Sequence, residues 1–342
     1  MQFHNLTVAQ VTGETADARS YTLAVPDALQ QSFAYRAGQH LTFRVNMEGE
    51  ILQRSYSLSS SPEAGGLPVV TVKHIPGGRV SGWFHAHVRA GTQLEVSAPA
   101  GRFVCDDSDA PLFFCAAGSG ITPVLSMIRS ALVCTKRGMT LFYANRDAAG
   151  TIFGREIASL ARDHPERLTV HMHYDDAAGF PGRGNIAALL SPVAHCQLYL
   201  CGPGPFMQTV VEAAEAAGVA RGRVHLERFD AAAQQPGAAA ASPSSQAGTD
   251  ACDASVTIGG ALHVVRVAGG QSLLHAALAS GVDAPYACEE GYCGSCAAKC
   301  IDGAVVHERN DVFNADELAA GWILTCQARP RRERPVAITY DV

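Results

Sequence analysis

Four cysteines define the chemistry open to this sequence. Cys288, Cys293 and Cys296 stand in Cys-Glu-Glu-Gly-Tyr-Cys-Gly-Ser-Cys, and Cys326 follows after 29 intervening residues in Leu-Thr-Cys-Gln. Two irons bridged by two sulfides need four thiolates, two on each iron. A tight loop giving three and a distant strand end giving the fourth meets that need. Gly291 and Gly294 let the loop wrap closely and aim backbone N–H groups at the sulfurs. A structural zinc site is the plainer alternative, but zinc ligands usually come in two short-spaced pairs, not three plus one. The chain holds 11 cysteines, an odd number, and a disulfide framework is not expected in an intracellular protein of this size. Cys300 lies just beyond the loop and reads as a small buried residue.

A second constellation is Gly118-Ser119-Gly120-Ile121-Thr122-Pro123, between the apolar run Leu112–Ala116 and a helical pattern. A glycine-rich strand-to-helix turn sets backbone N–H groups and the positive helix end against a pyrophosphate. Pro123 suits the first turn of that helix. The third glycine of the Rossmann fingerprint is missing, so a standard Rossmann domain is not expected. Coenzyme choice should be made after Met139–Tyr143, in Ala144-Asn145-Arg146-Asp147. There Arg146 can grip a 2′-phosphate, while Asp147 can bond a 2′-hydroxyl.

These residues need elements to hold them, and the pattern divides the chain accordingly. Residues 1–104 carry short alternating runs (Leu41–Val45, Val69–His74, Gln93–Ser97) between Gly/Pro turns, which suggests a sandwich or small antiparallel barrel. Residues 105–230 alternate apolar strands with helices. The strands are Leu112–Ala116, Met139–Tyr143, Leu168–His173, Gln197–Cys201 and Arg223–Glu227; the helices are Pro123–Cys134, Thr151–Asp163 and Pro205–Ala217. That alternation means βαβ units around a buried parallel sheet. Residues 231–251 contain no Leu, Ile, Val or Phe and read as a flexible linker spanning roughly 25 Å as a coil. Residues 252–342 open with a hairpin, Ala254–Ile258 and Leu262–Val267 about Gly259–Gly260, followed by a short helix over Ser272–Ala279. The net charge of −6 argues against nucleic-acid binding. No apolar run is long enough for a membrane span, and Met1–Val11 has no signal-peptide pattern, so a cytoplasmic protein is expected.

With these residues in view, the last 90 or so positions resemble a plant-type ferredoxin domain, and the whole chain resembles the ferredoxin–NADP reductase family with a fused C-terminal ferredoxin. The resemblance implies a flavin barrel, an α/β nucleotide domain and a β-grasp-like [2Fe–2S] domain. Arg54-Ser55-Tyr56-Ser57 matches the family's R-x-Y-S flavin motif. Tyr56 would lie against the ring, Ser57 would bond its N5 edge, and Arg54 would pair with the pyrophosphate. Gly78-Arg79-Val80-Ser81 matches the family's G-x-x-S segment, whose N–H groups cradle that pyrophosphate, most directly if Ser81 opens a helix. Lys73 and Trp83 flank this site. Phe229, in Glu227-Arg228-Phe229, would approach the flavin from its other side. Cys201-Gly202-Pro203 with Phe206-Met207 matches the family's C-G-P…F-M stretch, whose cysteine lies near the nicotinamide C4. The cofactor implied is FAD, with FMN in some relatives; the donor is NADH or NADPH, and NADH is favoured.

The arrangement implied is a three-stage wire from NAD(P)H through flavin and cluster to a separate acceptor protein. Reductases of this kind serve terminal oxygenases acting on steroids, aromatics or acyl-CoA compounds. From Cys252 onward there are 11 acidic and 7 basic residues, which carries −4 of the total charge of −6 and points to a partner with a basic docking face. A generic acidic surface explains the same balance. A monomer is expected. A flavin and iron–sulfur redox sensor, or a ferredoxin-type reductase without an oxygenase, is the rival reading.

Overall fold

A computed structural model describes residues 2–229 and 251–341, apart from 287, 288, 290, 292, 293, 311, 314 and 332–334. The chain divides into two compact units, residues 2–231 and residues 232–342. The linker expected over 231–251 lies outside the described residues except for Ala251.

The first unit begins with a barrel. Its strands are β1 (Phe3–Gly13), β2 (Ala18–Ala24), β3 (His40–Met47), β4 (Glu50–Ser57) and β5 (Val69–Lys73), then helix α1 (Arg79–His87) and strand β6 (Gln93–Ser97). They pair antiparallel in the order β4-β3-β6-β1-β2-β5, and a bridge from Leu58 to Val70 closes the ends on each other. Alternation sends Leu41, Phe43 and Val45 of β3 inward against Leu6, Val8, Tyr21 and Leu23, all of them buried. The pattern expected from the turns is therefore met as a barrel rather than a sandwich. Helix α1 is capped by Gly78, so Ser81 stands within its first turn instead of opening it.

The same unit continues into a parallel sheet. In chain order come β7 (Leu112–Ala117), α2 (Ile121–Cys134), β8 (Met139–Asn145), α3 (Gly154–Asp163), β9 (Leu168–Tyr174), α4 (Asp175–Ala178), α5 (Arg183–Leu190), β10 (Gln197–Gly202), α6 (Gly204–Ala216) and β11 (Val224–Arg228). The sheet order is β11-β10-β7-β8-β9. Every residue of β7 is buried, as a strand covered on both faces requires. The order reverses between β7 and β10, whose carboxyl ends meet at Gly118–Gly120 and Gly202. Helix α3 starts at Gly154, three residues later than the expected Thr151, because Phe153 takes a left-handed φ of 59° and cannot be helical.

The second unit contains β12 (Cys252–Ile258), β13 (Ala261–Val267), α7 (Leu273–Ala279), β14 (Ala297–Asp302), β15 (Val305–His307), α8 (Ala315–Ala319), β16 (Trp322–Leu324), β17 (Ala328–Pro330) and β18 (Val336–Thr339). The main sheet runs β13-β12-β18-β14-β16, with β12 and β18 parallel and the other pairs antiparallel, a β-grasp arrangement. The hairpin turns through Gly259 and Gly260, both at positive φ, as a two-residue primed turn demands. Ser272 caps α7 by accepting from the His275 N–H.

Candidate functional site

Strand β4 delivers the first group of side chains. Tyr56 is half-buried, with its ring 5.3 Å from Phe84 and 5.9 Å from Phe43, and burial pushes its hydroxyl well above the usual phenol range. The next residue, Ser57, is 3% exposed, and its Oγ has no hydrogen-bond partner among the described residues. An orphaned buried hydroxyl costs free energy unless something outside the chain completes it, and a flavin edge against the Tyr56–Ser57 strand end would do so. Arg54 donates from Nη1 to the Gln53 carbonyl at 2.7 Å. Arg79 pairs with Glu50 at 2.7 Å. Val80 packs into the barrel core, so only its backbone is offered to a ligand. The Ser81 hydroxyl accepts from Ile75 N–H and donates to Gly78 O, both at 3.3 Å, and so holds the 75–81 loop in shape. Trp83 meets Phe84 edge-on at 5.6 Å.

The second group lies at the carboxyl edge of the parallel sheet, around a cavity of about 520 Å³. Gly118, Asn145, Arg146, Pro203 and Phe206 line it from the α/β side, and Asp17 and Lys73 line it from the barrel. Lys73 Nζ stands 3.5 Å from Asp17. Gly120 is required by space: a Cβ there would fall 2.2 Å from the Cys201 carbonyl oxygen. That close approach seats the turn against the end of β10. Ile121, Thr122 and Pro123 are buried, and Thr122 donates to Ser119 O at 3.0 Å. Cys201 is fully buried in the core shared with Ile121 and Tyr199, and burial pushes its thiol far up, so it stays neutral. Gly202 brings Phe206 and Ala117 close, and Met207 is wholly core. Phe229 is half-buried against the core cluster that joins Phe103 and Ala37 of the barrel to Ile121 and Phe114.

Two features of this cavity escape the sequence reading. The Asp147 carboxylate, a candidate for the ribose hydroxyl, already accepts from the Gly150 N–H through Oδ1 at 2.7 Å. Asp147 itself lines the cavity, and a second carboxylate reaches it. Asp175, the first residue after β9, lines it with a buried Oδ1 that has no hydrogen-bond partner among the described residues and stands 3.6 Å from His173 Nε2. Asn145 Nδ2 is likewise buried, in a side chain 5% exposed, with no close hydrogen-bond partner among the described residues. Two orphaned polar atoms in one cavity fit a polar ligand such as a nucleotide ribose. Phe180, 56% exposed, stands at the same cavity. Residues 145 and 175 are brought together by the β8–β9 pairing, which matches Asn145 with Tyr174.

In the second unit Cys296 and Cys326 are both buried, with sulfurs 3.3 Å apart. The pairing of β14 with β16 sets this approach, and Thr325 fixes it by donating from both N and Oγ1 to the Cys296 carbonyl. Cys288 and Cys293 lie outside the described residues. Gly291 and Gly294 both take positive φ, and a Cβ on Gly291 would meet Gln327 Cγ at 2.9 Å and Arg309 O at 3.0 Å. Gln327 also donates to the Glu289 carbonyl at 2.8 Å, and Glu289 meets His275 Nε2 at 2.8 Å. Glu289 and Gly291 are thus held against Gln327, the neighbour of Cys326, and the juxtaposed thiols of Cys296 and Cys326 are a pair that soft-metal ligation can use. Cys300, expected to be buried, is only half-buried, with its thiol 3.4 Å from the Asp302 carbonyl; a bulge in β14 at 300–302 accounts for the difference.

Three family models match successive parts of the chain. The family model for an oxidoreductase FAD-binding domain matches residues 5–105, that for an oxidoreductase NAD-binding domain residues 114–212, and that for a 2Fe-2S iron-sulfur cluster binding domain residues 256–331. The ferredoxin reductase component of 3-ketosteroid-9-alpha-monooxygenase from Rhodococcus rhodochrous is 42% identical over 329 residues, 95% of this chain and 93% of that one. One of the proteins that make up the 1,2-phenylacetyl-CoA epoxidase of Escherichia coli (strain K12) is 37% identical, over 99% of this chain and 98% of its own. Among solved structures, phthalate dioxygenase reductase, described as a modular structure for electron transfer from pyridine nucleotides to [2Fe-2S], is 26% identical with a TM-score of 0.62 over 98% of both chains. The chain is therefore an NAD(P)H-dependent flavin and iron–sulfur oxidoreductase, and it belongs to the family of ferredoxin-fused reductase components that serve multicomponent oxygenases.

Proposed function

We propose that this chain draws electrons from NADH and delivers them one at a time to the terminal oxygenase of a multicomponent monooxygenase or dioxygenase acting on a steroid, aromatic or acyl-CoA compound. The observation that carries the reading is the cavity walled by both the nucleotide turn and barrel residues Asp17 and Lys73, with the Ser57 hydroxyl left for a flavin. A flavin here supplies the splitting of a two-electron donor into single-electron deliveries, and the cluster held by Cys288, Cys293, Cys296 and Cys326 supplies one-electron storage. Arg54, Tyr56 and Ser57 hold the flavin's pyrophosphate, face and edge, and the Gly78–Ser81 backbone caps the pyrophosphate. Gly118–Pro123 seats the coenzyme pyrophosphate, and Cys201-Gly202-Pro203 with Phe206 and Met207 shapes the nicotinamide end. Phe229 closes the pocket from the α/β side.

NADH is the donor in this reading because Asp175 adds a second carboxylate, beside Asp147, on the ribose side of the cavity. A 2′-hydroxyl satisfies its orphaned oxygen, and a 2′-phosphate meets like charge. Arg146 at the same cavity moderates that discrimination. The partner presents a basic face to the acidic ferredoxin unit, so its reduction slows as salt rises. Among the described residues no helix is long and apolar enough to cross a membrane, and the reading takes the chain as a cytoplasmic monomer. The test is NADH-driven product formation with purified candidate oxygenases. Product coupled to NADH consumption is expected. Rapid reduction of artificial acceptors with no oxygenase served contradicts the oxygenase assignment, and negligible NADH oxidation by any acceptor favours a redox sensor.

A further inference from the structure

Beyond the end of β4 the chain runs through Leu58–Ser61, all buried, and this stretch is bolted to helix α2. Ser126 Oγ donates to the Ser60 carbonyl at 2.5 Å, and Arg129 Nη1 donates to the Ser59 carbonyl. Ser130 Oγ lies 2.8 Å from Ser61 Oγ. Positions 126, 129 and 130 share one helix face, since steps of three and four residues repeat on the same side. Arg129 also holds a third element. Its Nε donates to Glu156 of α3 at 2.7 Å, and its guanidinium carbon stands 5.8 Å over the ring of Phe153. Phe153 is the left-handed residue that caps α3, a backbone state a bulky side chain keeps only when its surroundings hold it there. The Arg129 side chain is 23% exposed, so its charge-assisted bonds are shielded from water.

These contacts fall close to both cofactor motifs. Ser59 is two residues beyond Ser57, at the end of the flavin motif. Arg129 lies on the helix whose first turn carries the nucleotide motif, and Ser126 is about 9 Å along its axis from Gly120. The clamp therefore ties the chain just beyond the flavin motif to the helix that carries the nucleotide motif, and none of its residues lines the nucleotide cavity.

We propose that Arg129 is a positioning residue that fixes the distance between the flavin strand and the nucleotide turn, and so sets the rate of hydride transfer without setting affinity for either cofactor. This rests on the reading that the chain passes hydride from a nicotinamide to a flavin. That step moves one hydrogen with two electrons from the reduced nicotinamide ring to the flavin ring, oxidising the first and reducing the second. Misplacement of reacting groups by about 1 Å costs on the order of 100-fold in rate, so a loosened clamp is read in the chemical step. Lysine keeps the charge but not the planar fork that reaches Ser59 and Glu156 together.

The experiment uses the full chain with its cofactors, under anaerobic stopped flow, with NADH and its 4-deuterated form. For Arg129→Met the limiting rate of flavin bleaching should fall roughly 30-fold, while the NADH saturation constant stays within about threefold and the isotope effect grows. Arg129→Lys should fall between the parent and Arg129→Met. Hydrogen exchange on the flavin-stripped full chain supplies a readout free of turnover: Arg129→Met should speed exchange at 58–61 and 119–126 together. Bleaching within twofold of the parent with an unchanged isotope effect, or faster exchange confined to the helix, overturns the proposal. If Arg129→Met does not retain FAD, Ser126→Ala is measured in the same way; a roughly threefold slowing is expected, and an unchanged rate overturns the proposal. Failure of the parent itself to bleach with NADH overturns the underlying reading instead.

Discussion

Replacing Ser57 with alanine should move the free and flavin-bound proteins in opposite directions. In the protein without ligand the Ser57 hydroxyl is buried and unpartnered. Such a group costs about 1–3 kcal/mol, and Ser57→Ala removes that cost. A shift of about 1 kcal/mol corresponds to roughly 2–4 °C in a unit of this size, so the melting temperature of the flavin-stripped protein should hold or rise by that amount. With flavin bound, the same hydroxyl contributes about 1 kcal/mol as a completed hydrogen bond, and the variant loses it. The two effects add in the binding equilibrium, weakening FAD by about 2 kcal/mol, or roughly 30-fold in Kd. Thermal melts with and without FAD, combined with fluorescence titration, check both arms. A variant less stable without flavin, with unchanged FAD affinity, would refute the assignment of this hydroxyl to the flavin.

Three further outcomes are expected. Gly120→Ala places a methyl 2.2 Å from the Cys201 carbonyl oxygen, where only backbone can yield, so stability should fall by about 1–3 kcal/mol and the KM for NADH should rise, as melts and steady-state kinetics would report. Asp175→Ser should raise kcat/KM for NADPH relative to NADH about tenfold by removing the like charge; an unchanged ratio would return coenzyme choice to Arg146. His40, buried at the start of β3, has its pKa pushed down to about 4 by burial, below the ordinary 6.5. The sign follows from the unfolded state binding the proton first: barrel stability is full above pH 6.5 and declines as pH falls from there toward 4, by about 3 kcal/mol in total. A pH series of melts on His40→Gln should lack that decline.

Much of this was legible because period and composition dictate local structure. The unbroken apolar run of β7, followed by Gly118-Ser119-Gly120, announced a buried parallel strand feeding a helix, and both are present. The hairpin about Gly259–Gly260 was equally plain, since two adjacent glycines serve a turn needing two positive φ values. What escaped depends on contacts distant in sequence. Asp175 reaches the cavity only because β9 pairs with β8, and no pattern near residue 175 marks that neighbour. Asp147 lines the cavity as its place after β8 suggests, but its Asx turn onto Gly150 engages one carboxylate oxygen, a choice among hydrogen-bond partners that residue type leaves open. The clamp from Arg129 to Ser59 joins residues 70 apart through a carbonyl, and backbone acceptors leave no trace in side-chain pattern. The start of α3 was placed early because nothing in Thr151-Ile152-Phe153 signals the left-handed state that tertiary packing imposes on Phe153.

The central claim is that electrons entering at the nicotinamide cavity leave through the cluster. An anaerobic titration of the purified full chain with NADH, followed by visible absorption and electron paramagnetic resonance beside iron, sulfide and flavin analysis, tests it most directly. Two irons and one FAD per chain are expected, with flavin bleaching followed by loss of the cluster's colour and appearance of its reduced-state signal. A protein without iron, or one whose flavin bleaches while the cluster stays oxidised, would contradict the account.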